Sequence, residues 1–321
     1  LFPGLTSDDL IPNVPGAPYA EYVTNSITDK DGIVETFWQY AYEYIYQTNA
    51  IIIGLRSSGV SKPVSKQLEG EAKFIRALNY FYLANLFGRV PLIITTDYQK
   101  NSTISRSSQD SIYKQIELDL IDAKNLLSTD YAVNIGYPSA KIRPNKWAAA
   151  AFLARVYLYR KDWADAEKEA SSVIGSDAYQ LESDLDNVFI GPSKEANWQL
   201  FPVGINANAA EGNIFLTKFA FQYPNFNLTA NLLNSFEAND IRKIHWIKSQ
   251  TSGTTTYIFP YKYKIYSGTP PVEYNTVFRL AEQYLIRAEA EAMQGNLVSA
   301  VSDLNVIRNR ANLNDTSIGS L

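Results

Sequence analysis

Three glutamates, Glu282, Glu289 and Glu291, form the densest carboxylate group in this 321-residue chain. Glu282 and Glu289 lie seven residues apart, which puts both on one face of a helix, and a pair of facing acids is what glycoside hydrolysis requires. Arg279, Arg287, Arg308 and Arg310 stand close in sequence or across the following hairpin. Ion pairing with these arginines accounts for the carboxylates better than catalysis does. His245, the only histidine, has no Ser, Cys or second His near it that would make a relay, so it reads as structural. Asp29-Lys30-Asp31-Gly32 opens like a calcium loop, but the twelfth position is Tyr40 instead of a bidentate Glu, so a turn or helix entry is expected. Asp184, Asp186 and Asn187 make a second, weak group of oxygen ligands.

Composition excludes more than these groups supply. With no Cys there is neither a disulfide framework nor thiolate chemistry, and one His and one Met leave almost no transition-metal site. No Gly-rich phosphate cradle is present. The net charge of −4 argues against a polyanion partner such as a nucleic acid, which needs clustered Lys and Arg. No run of 18 apolar residues could span a membrane as a helix. Hydrophobic residues at 46% are enough for a large core, and the 22 Tyr, 15 Phe and 5 Trp exceed what it needs. Surplus Tyr and Trp suit carbohydrate recognition, because a flat ring stacks on the apolar face of a sugar while its polar tip stays wet.

The elements that would position these residues are mainly helical. Residues 36–55 place Phe37, Tyr40, Ala41, Tyr44, Ile45 and Thr48 at helical spacing, predicting a stripe that includes the three rings. Further helices are expected at 67–87, stopped by Gly88 and Pro91, at 108–127 with Asp110 or Ser111 as cap, and at 145–159, 163–174, 277–293 and 297–311. Ala154 and Ala166 are twelve residues apart, as are Ala288 and Ala300, the spacing of small residues where the two helices of a tetratricopeptide-type pair cross. Gly295 supplies the turn of the later pair, whereas the turn at 160–163 has no glycine. Between 175 and 276 the helical period fades into Asn, Gly, Pro and aromatics, with a short helix expected at 229–237 and a strand at 257–266.

The most specific stretches resemble one family. Gly70, Glu71, Ala72, Phe74, Arg76, Ala77, Tyr80 and Phe81 run into Leu86, Phe87, Gly88, Val90, Pro91 and Leu92, and Arg279, Leu280, Ala281, Glu282, Tyr284, Leu285, Ile286, Ala288, Glu289 and Ala290 form a second motif. Ser235, Phe236, Glu237, Asp240 and Arg242, then Pro260, Lys262 and Tyr263, form a third and fourth. Their order over about residues 36–311 resembles the SusD/RagB family of outer-membrane nutrient-binding lipoproteins. The resemblance implies a mainly α, SusD-like fold of degenerate tetratricopeptide-type helix pairs plus a loop-rich region with a few short strands. It implies one domain over 1–321, with the scaffold at 36–174 and 277–311 and the ligand side at 175–276. It also implies that a family member would carry a signal peptide and lipidated Cys upstream of Leu1 and a further helical region downstream.

By that resemblance the protein is no enzyme. It captures an oligo- or polysaccharide on the cell surface, held to the outer membrane by an N-terminal lipid, and delivers it to a SusC-like TonB-dependent transporter. No cofactor is implied, though a structural calcium ion is compatible with the family. A helical-repeat protein that binds a peptide or protein and no sugar is the alternative reading. Trp38, Trp147 and Trp163 are expected in the core. Trp198, Tyr223, Phe226, Trp246 and Tyr257 lie in the irregular half, and Tyr19 and Tyr22 in a Pro-rich N-terminal loop that reaches the same surface; these seven are the expected ligand-binding rings.

Overall fold

A computed structural model of the chain describes residues 1–14, 18–132, 140–204, 207–219 and 221–320. The N-terminal segment holds α1 (Phe2–Thr6), β1 (Leu10–Pro12) and α2 (Ala20–Val23). The scaffold follows as α3 (Gly32–Leu55), α4 (Lys62–Phe87), the single turn α5 (Tyr98–Asn101), α6 (Gln109–Leu126), α7 (Lys146–Arg160) and α8 (Trp163–Ile174). The irregular half contributes β2 (Ala196–Leu200), α9 (Ala210–Phe215), β3 (Phe226–Leu228), α10 (Ala230–Asn234), α11 (Arg242–Trp246), β4 (Ile247–Ser252), β5 (Thr255–Pro260) and β6 (Asn275–Arg279). The chain returns to the scaffold with α12 (Leu280–Met293) and α13 (Leu297–Arg310).

The caps are local chemistry. Asp31 accepts from the Ile33 and Val34 amides, so the sequence that resembled a calcium loop is a helix entry. Tyr22 Oη also donates to Asp31 at 2.7 Å, and these hydrogen bonds hold the Asp31 carboxyl below the usual carboxylate range. At α6 the cap is Ser108, whose Oγ accepts from the Ser111 amide, two to three residues before the expected caps. At the glycine-free turn Lys161 adopts the left-handed conformation, φ 62°, and Gly295 does so at the later turn, φ 85°.

The two predicted helix pairs, α7–α8 and α12–α13, pack against one another through α8 and α12, although more than a hundred residues separate them in the chain. Ala154, Ala166 and Ala170 meet Ile286 and Ala290 in one buried cluster, and Ala300 is buried on α13. Close backbone approach is what the alanines permit, so Ala154→Leu or Ala166→Leu should cost ~1–3 kcal/mol by overpacking. Unchanged melting in both variants would contradict the crossing.

The expected stripe of α3 is rotated. Ala41, Ile45, Thr48, Asn49 and Ile52 are its buried line, while Phe37, Tyr40 and Tyr44 are exposed. Smaller residues let α3 lie close against α4, which leaves the rings outward. The helix expected to begin at Val277 begins instead at Leu280, because 275–279 pair with β2 as an antiparallel ribbon. That ribbon ties the irregular half to the scaffold: Trp198 and Phe278 enter the main core beside Phe74 and Phe152. Two other ribbons, β1–β3 and β4–β5, complete the short strands among the described residues.

Helix α9 is seated by a glycine. A Cβ on Gly212 would lie 2.1 Å from the Ile265 carbonyl oxygen, whereas one on Gly54 in α3 would meet nothing. Gly212→Ala should therefore lower the melting temperature sharply by displacing the 261–266 segment. Gly54→Ala should raise stability by about 0.5–1 kcal/mol through helix propensity alone. Equal melting temperatures for the two variants would contradict this seating.

Candidate functional site

A cleft of about 570 Å³ lies between α1, α9, α11 and the 260–263 segment, with Phe189, Phe236, Trp246 and Tyr263 in its walls. Its ring faces are already occupied. Lys262 Nζ sits 5.4 Å from the Trp246 ring centroid and the Arg279 guanidinium 5.9 Å, and Phe189 meets the same indole at 5.5 Å. The charges around it are largely spent on one another: Arg242 grips Asp240, and Arg279 and Arg310 share Glu195. Lys262 as a residue is exposed, but burial of its ammonium, with Arg279 and Arg242 nearby, pushes its pKa below the ordinary value. Trp246 donates its indole N–H to the Leu185 carbonyl at 3.1 Å. These contacts take up the faces of Trp246 and Phe189.

An open platform lies on the next surface. Here β4 and β5 form a hairpin in regular register, so Lys248, Gln250 and Ser252 share a face with Thr255, Tyr257 and Phe259. The preceding 217–225 loop is tied onto that face. Thr217 Oγ1 donates to Gln250 Oε1 at 3.2 Å, Gln250 Nε2 donates to the Gln222 carbonyl, and Ser252 Oγ donates to the Phe221 carbonyl at 3.2 Å. Tyr223 thereby stacks on Tyr257, centroids 5.6 Å apart and planes 18° apart. Phe219 and Phe221 stack beside them at 5.4 Å and 3°. Tyr223 is 49% exposed and Phe221 77%. Such exposure of paired rings loses hydrophobic stabilisation that a ligand would restore.

A cleft of about 510 Å³ runs along Tyr223, bounded by Asn213, Lys218, Gln222, Asn225 and Tyr266. Leu216, Thr217 and Tyr266 also wall a smaller hollow of about 140 Å³ beside Phe259, so the two are neighbours. The N-terminal segment reaches this surface as expected: Val14 lines the cleft, and Asn13 Nδ2 donates to the Pro224 carbonyl at 2.7 Å. Rings beside exposed amides can stack on a sugar and hydrogen-bond its hydroxyls without any covalent step.

Of the seven expected rings, Tyr223 and Tyr257 meet on this platform and Tyr19 lies nearby, half-buried against Phe226. The other four are buried. Trp198 is 2% exposed, wedged between Phe74 and Phe278, with its indole N–H on the Ile142 carbonyl. Phe226 and Tyr22 are buried in the small core of the N-terminal segment, where burial, with Asp31 secondary, raises the Tyr22 phenol. Trp246 is buried as described above. Trp198, Trp246 and Phe226 each pack against residues distant in the chain, which their sequence neighbours could not reveal. Phe219, Phe221 and Tyr266 were not anticipated, although an aromatic every second residue before Pro224 is the signal that marks the two phenylalanines.

The carboxylates with catalytic spacing are engaged or apart. Glu282 is held by Arg155 in a bidentate pair at 2.5 and 2.7 Å, not by the neighbouring arginines. Arg287 pairs with Asp303 and Arg308 with Glu237. Asp184, Asp186 and His245 converge within 4.8 Å, but Lys264 ion-pairs with Asp186 there. Burial raises the Asp186 carboxyl, and hydrogen bonds from Lys264 and His245 outweigh it and leave it lowered.

The fold is that of the SusD superfamily. A SusD superfamily protein from Bacteroides thetaiotaomicron superposes with a TM-score of 0.84 at 22% identity, over 98% of this chain and 76% of that one. A laminarin-binding SusD-like protein superposes with a TM-score of 0.80 at 23% identity, over 98% and 79%. Residues 16–158 match a family described as starch-binding and associating with the outer membrane, and residues 236–319 match the SusD family. SusD-like protein P25 of Formosa agariphila is 24% identical over 91% of this chain and 64% of its own length. On these matches the chain is similar to the SusD/RagB family over residues 16–158 and 236–319. It spans between about a quarter and two thirds of the length of the curated relatives it matches.

Proposed function

We propose that this protein is a non-catalytic glycan-binding protein whose ligand rides on the Tyr223–Tyr257 platform. One observation carries the reading: Tyr223, half-exposed and stacked on the half-buried Tyr257, is held at the surface by a loop pinned to a hairpin, beside the exposed amides of Asn213, Gln222 and Asn225. The family's starch-binding description and a laminarin-binding neighbour support a sugar as the ligand. Hydrolysis is not part of the proposal, since Glu282 is spent on Arg155. By its family the protein acts at the outer membrane as a surface-exposed lipoprotein and hands its glycan to a SusC-like TonB-dependent transporter. The outward row of Phe37, Tyr40 and Tyr44 on α3 supplies an apolar face of the kind a protein partner covers.

Affinity electrophoresis of the chain in gels cast with single polysaccharides tests this reading. Retardation by at least one polysaccharide, with no reducing sugar released, is the expected result. Retention by peptides and by no glycan would favour the alternative ligand class.

A further inference from the structure

We infer that the glycan is anionic, bearing carboxylate or sulfate groups; this deepens the platform reading and rests on it. The chain as a whole is acidic, and that balance argued against polyanions, but the fold concentrates charge locally. From Ala210 to Tyr266 there are six Lys and Arg against three Asp and Glu. Two of the lysines, Lys218 and Lys248, flank the platform, and neither has a carboxylate within ion-pair distance among the described residues.

Their positions match a sugar seated on the outer face of the Tyr223–Tyr257 pair. Gln250 is directly opposite Tyr257 in the hairpin, and Lys248 lies two residues along the same face. Sheet geometry puts that diagonal at about 7–8 Å, on the order of one sugar ring beyond the stacking position. Lys218 follows Thr217, which is bonded to Gln250, so the second ammonium stands on the opposite wall. Both ammonium groups lie over rings, Lys218 on Phe219 at 5.4 Å and Lys248 on Tyr261 at 4.7 Å. Cation–π contact steadies each one and leaves its protons free to donate. Lys264 lines the same hollow but is paired to Asp186. A neutral glycan would leave Lys218 and Lys248 without counter-charge in its binding site, whereas a uronic acid or sulfated sugar supplies it.

The test compares the whole chain with Lys218→Gln/Lys248→Gln and with Tyr223→Ala. The probes are polygalacturonate, alginate, chondroitin sulfate and carrageenan, against laminarin, pullulan, xylan and galactomannan. We expect retention by an anionic polysaccharide, weakened roughly tenfold in the double lysine variant and strongly reduced at about 1 M sodium chloride, where the screening length falls to about 3 Å. Retention by neutral glycans alone, unaffected by the lysine changes but lost in Tyr223→Ala, would overturn the charge assignment and leave the platform standing. Retention unchanged in Tyr223→Ala, or by no glycan of either set, would overturn the platform and the inference with it.

Discussion

Replacing Arg76 with alanine should destabilise the helical scaffold by about 3–5 kcal/mol, measured as the free energy of urea unfolding. Arg76 on α4 is buried, and its Nε and one terminal nitrogen donate to the two oxygens of Asp119 on α6 at 2.8 and 2.6 Å. The other terminal nitrogen donates to Asn49 Oδ1 on α3 at 2.7 Å. Asn49 in turn donates to the Ile93 carbonyl at 3.1 Å, so one guanidinium joins three helices and the segment after α4. Removing it strands a buried carboxylate with only Gln115 as donor. Replacing both charges, as Arg76→Met/Asp119→Leu, should recover most of the loss, since the penalty comes from the uncompensated charge.

The same pair sets a pH signature. Burial raises the Asp119 carboxyl above its ordinary value even against the arginine. A raised carboxyl pKa favours the protonated form in the fold, so this group adds stability as pH falls through its folded value. Without Arg76 the rise is larger, and the Arg76→Ala variant should regain part of its stability between neutral and mildly acidic pH. A loss below about 1 kcal/mol at neutral pH, with no such recovery, would show that the pair is not what joins the helices.

The second large effect separates rings by burial. Tyr223→Ala and Tyr257→Ala should each weaken glycan binding by about 1–2 kcal/mol, roughly five- to thirtyfold, because each removes half of the stacked pair. Their melting temperatures should stay near that of the unaltered protein, since little core contact is lost. Trp198→Ala should do the reverse and cost ~3–5 kcal/mol of folding stability by emptying the space between Phe74 and Phe278. Calorimetric melting alongside glycan titration distinguishes the two outcomes, and equal destabilisation by all three would contradict the division.

The scaffold was readable because helical spacing, glycine and proline breakers and the alanine pairs are local signals. Arg279 shows where that stops: its partner is Glu195, on the far side of the irregular half, and the nearby glutamates attract other residues. The same limit hid Trp198, whose neighbours come from α4 and β6. On α3 the periodicity was correct and the face was not, because a stripe containing both Ala41 and Tyr40 does not reveal which edge a neighbour will cover. Tyr223 and Tyr257 were legible as candidates, but their stacking depends on the hairpin register and on the Gln250 and Ser252 hydrogen bonds.

A crystal structure of the chain with an oligosaccharide from the polysaccharide that retards it tests the central claim most directly. The account predicts a sugar ring within about 4 Å of Tyr223 or Tyr257, with hydroxyls on Asn213, Gln222 or Asn225. A sugar seated beside Trp246, or on the outward rings of α3, with the platform empty would contradict it.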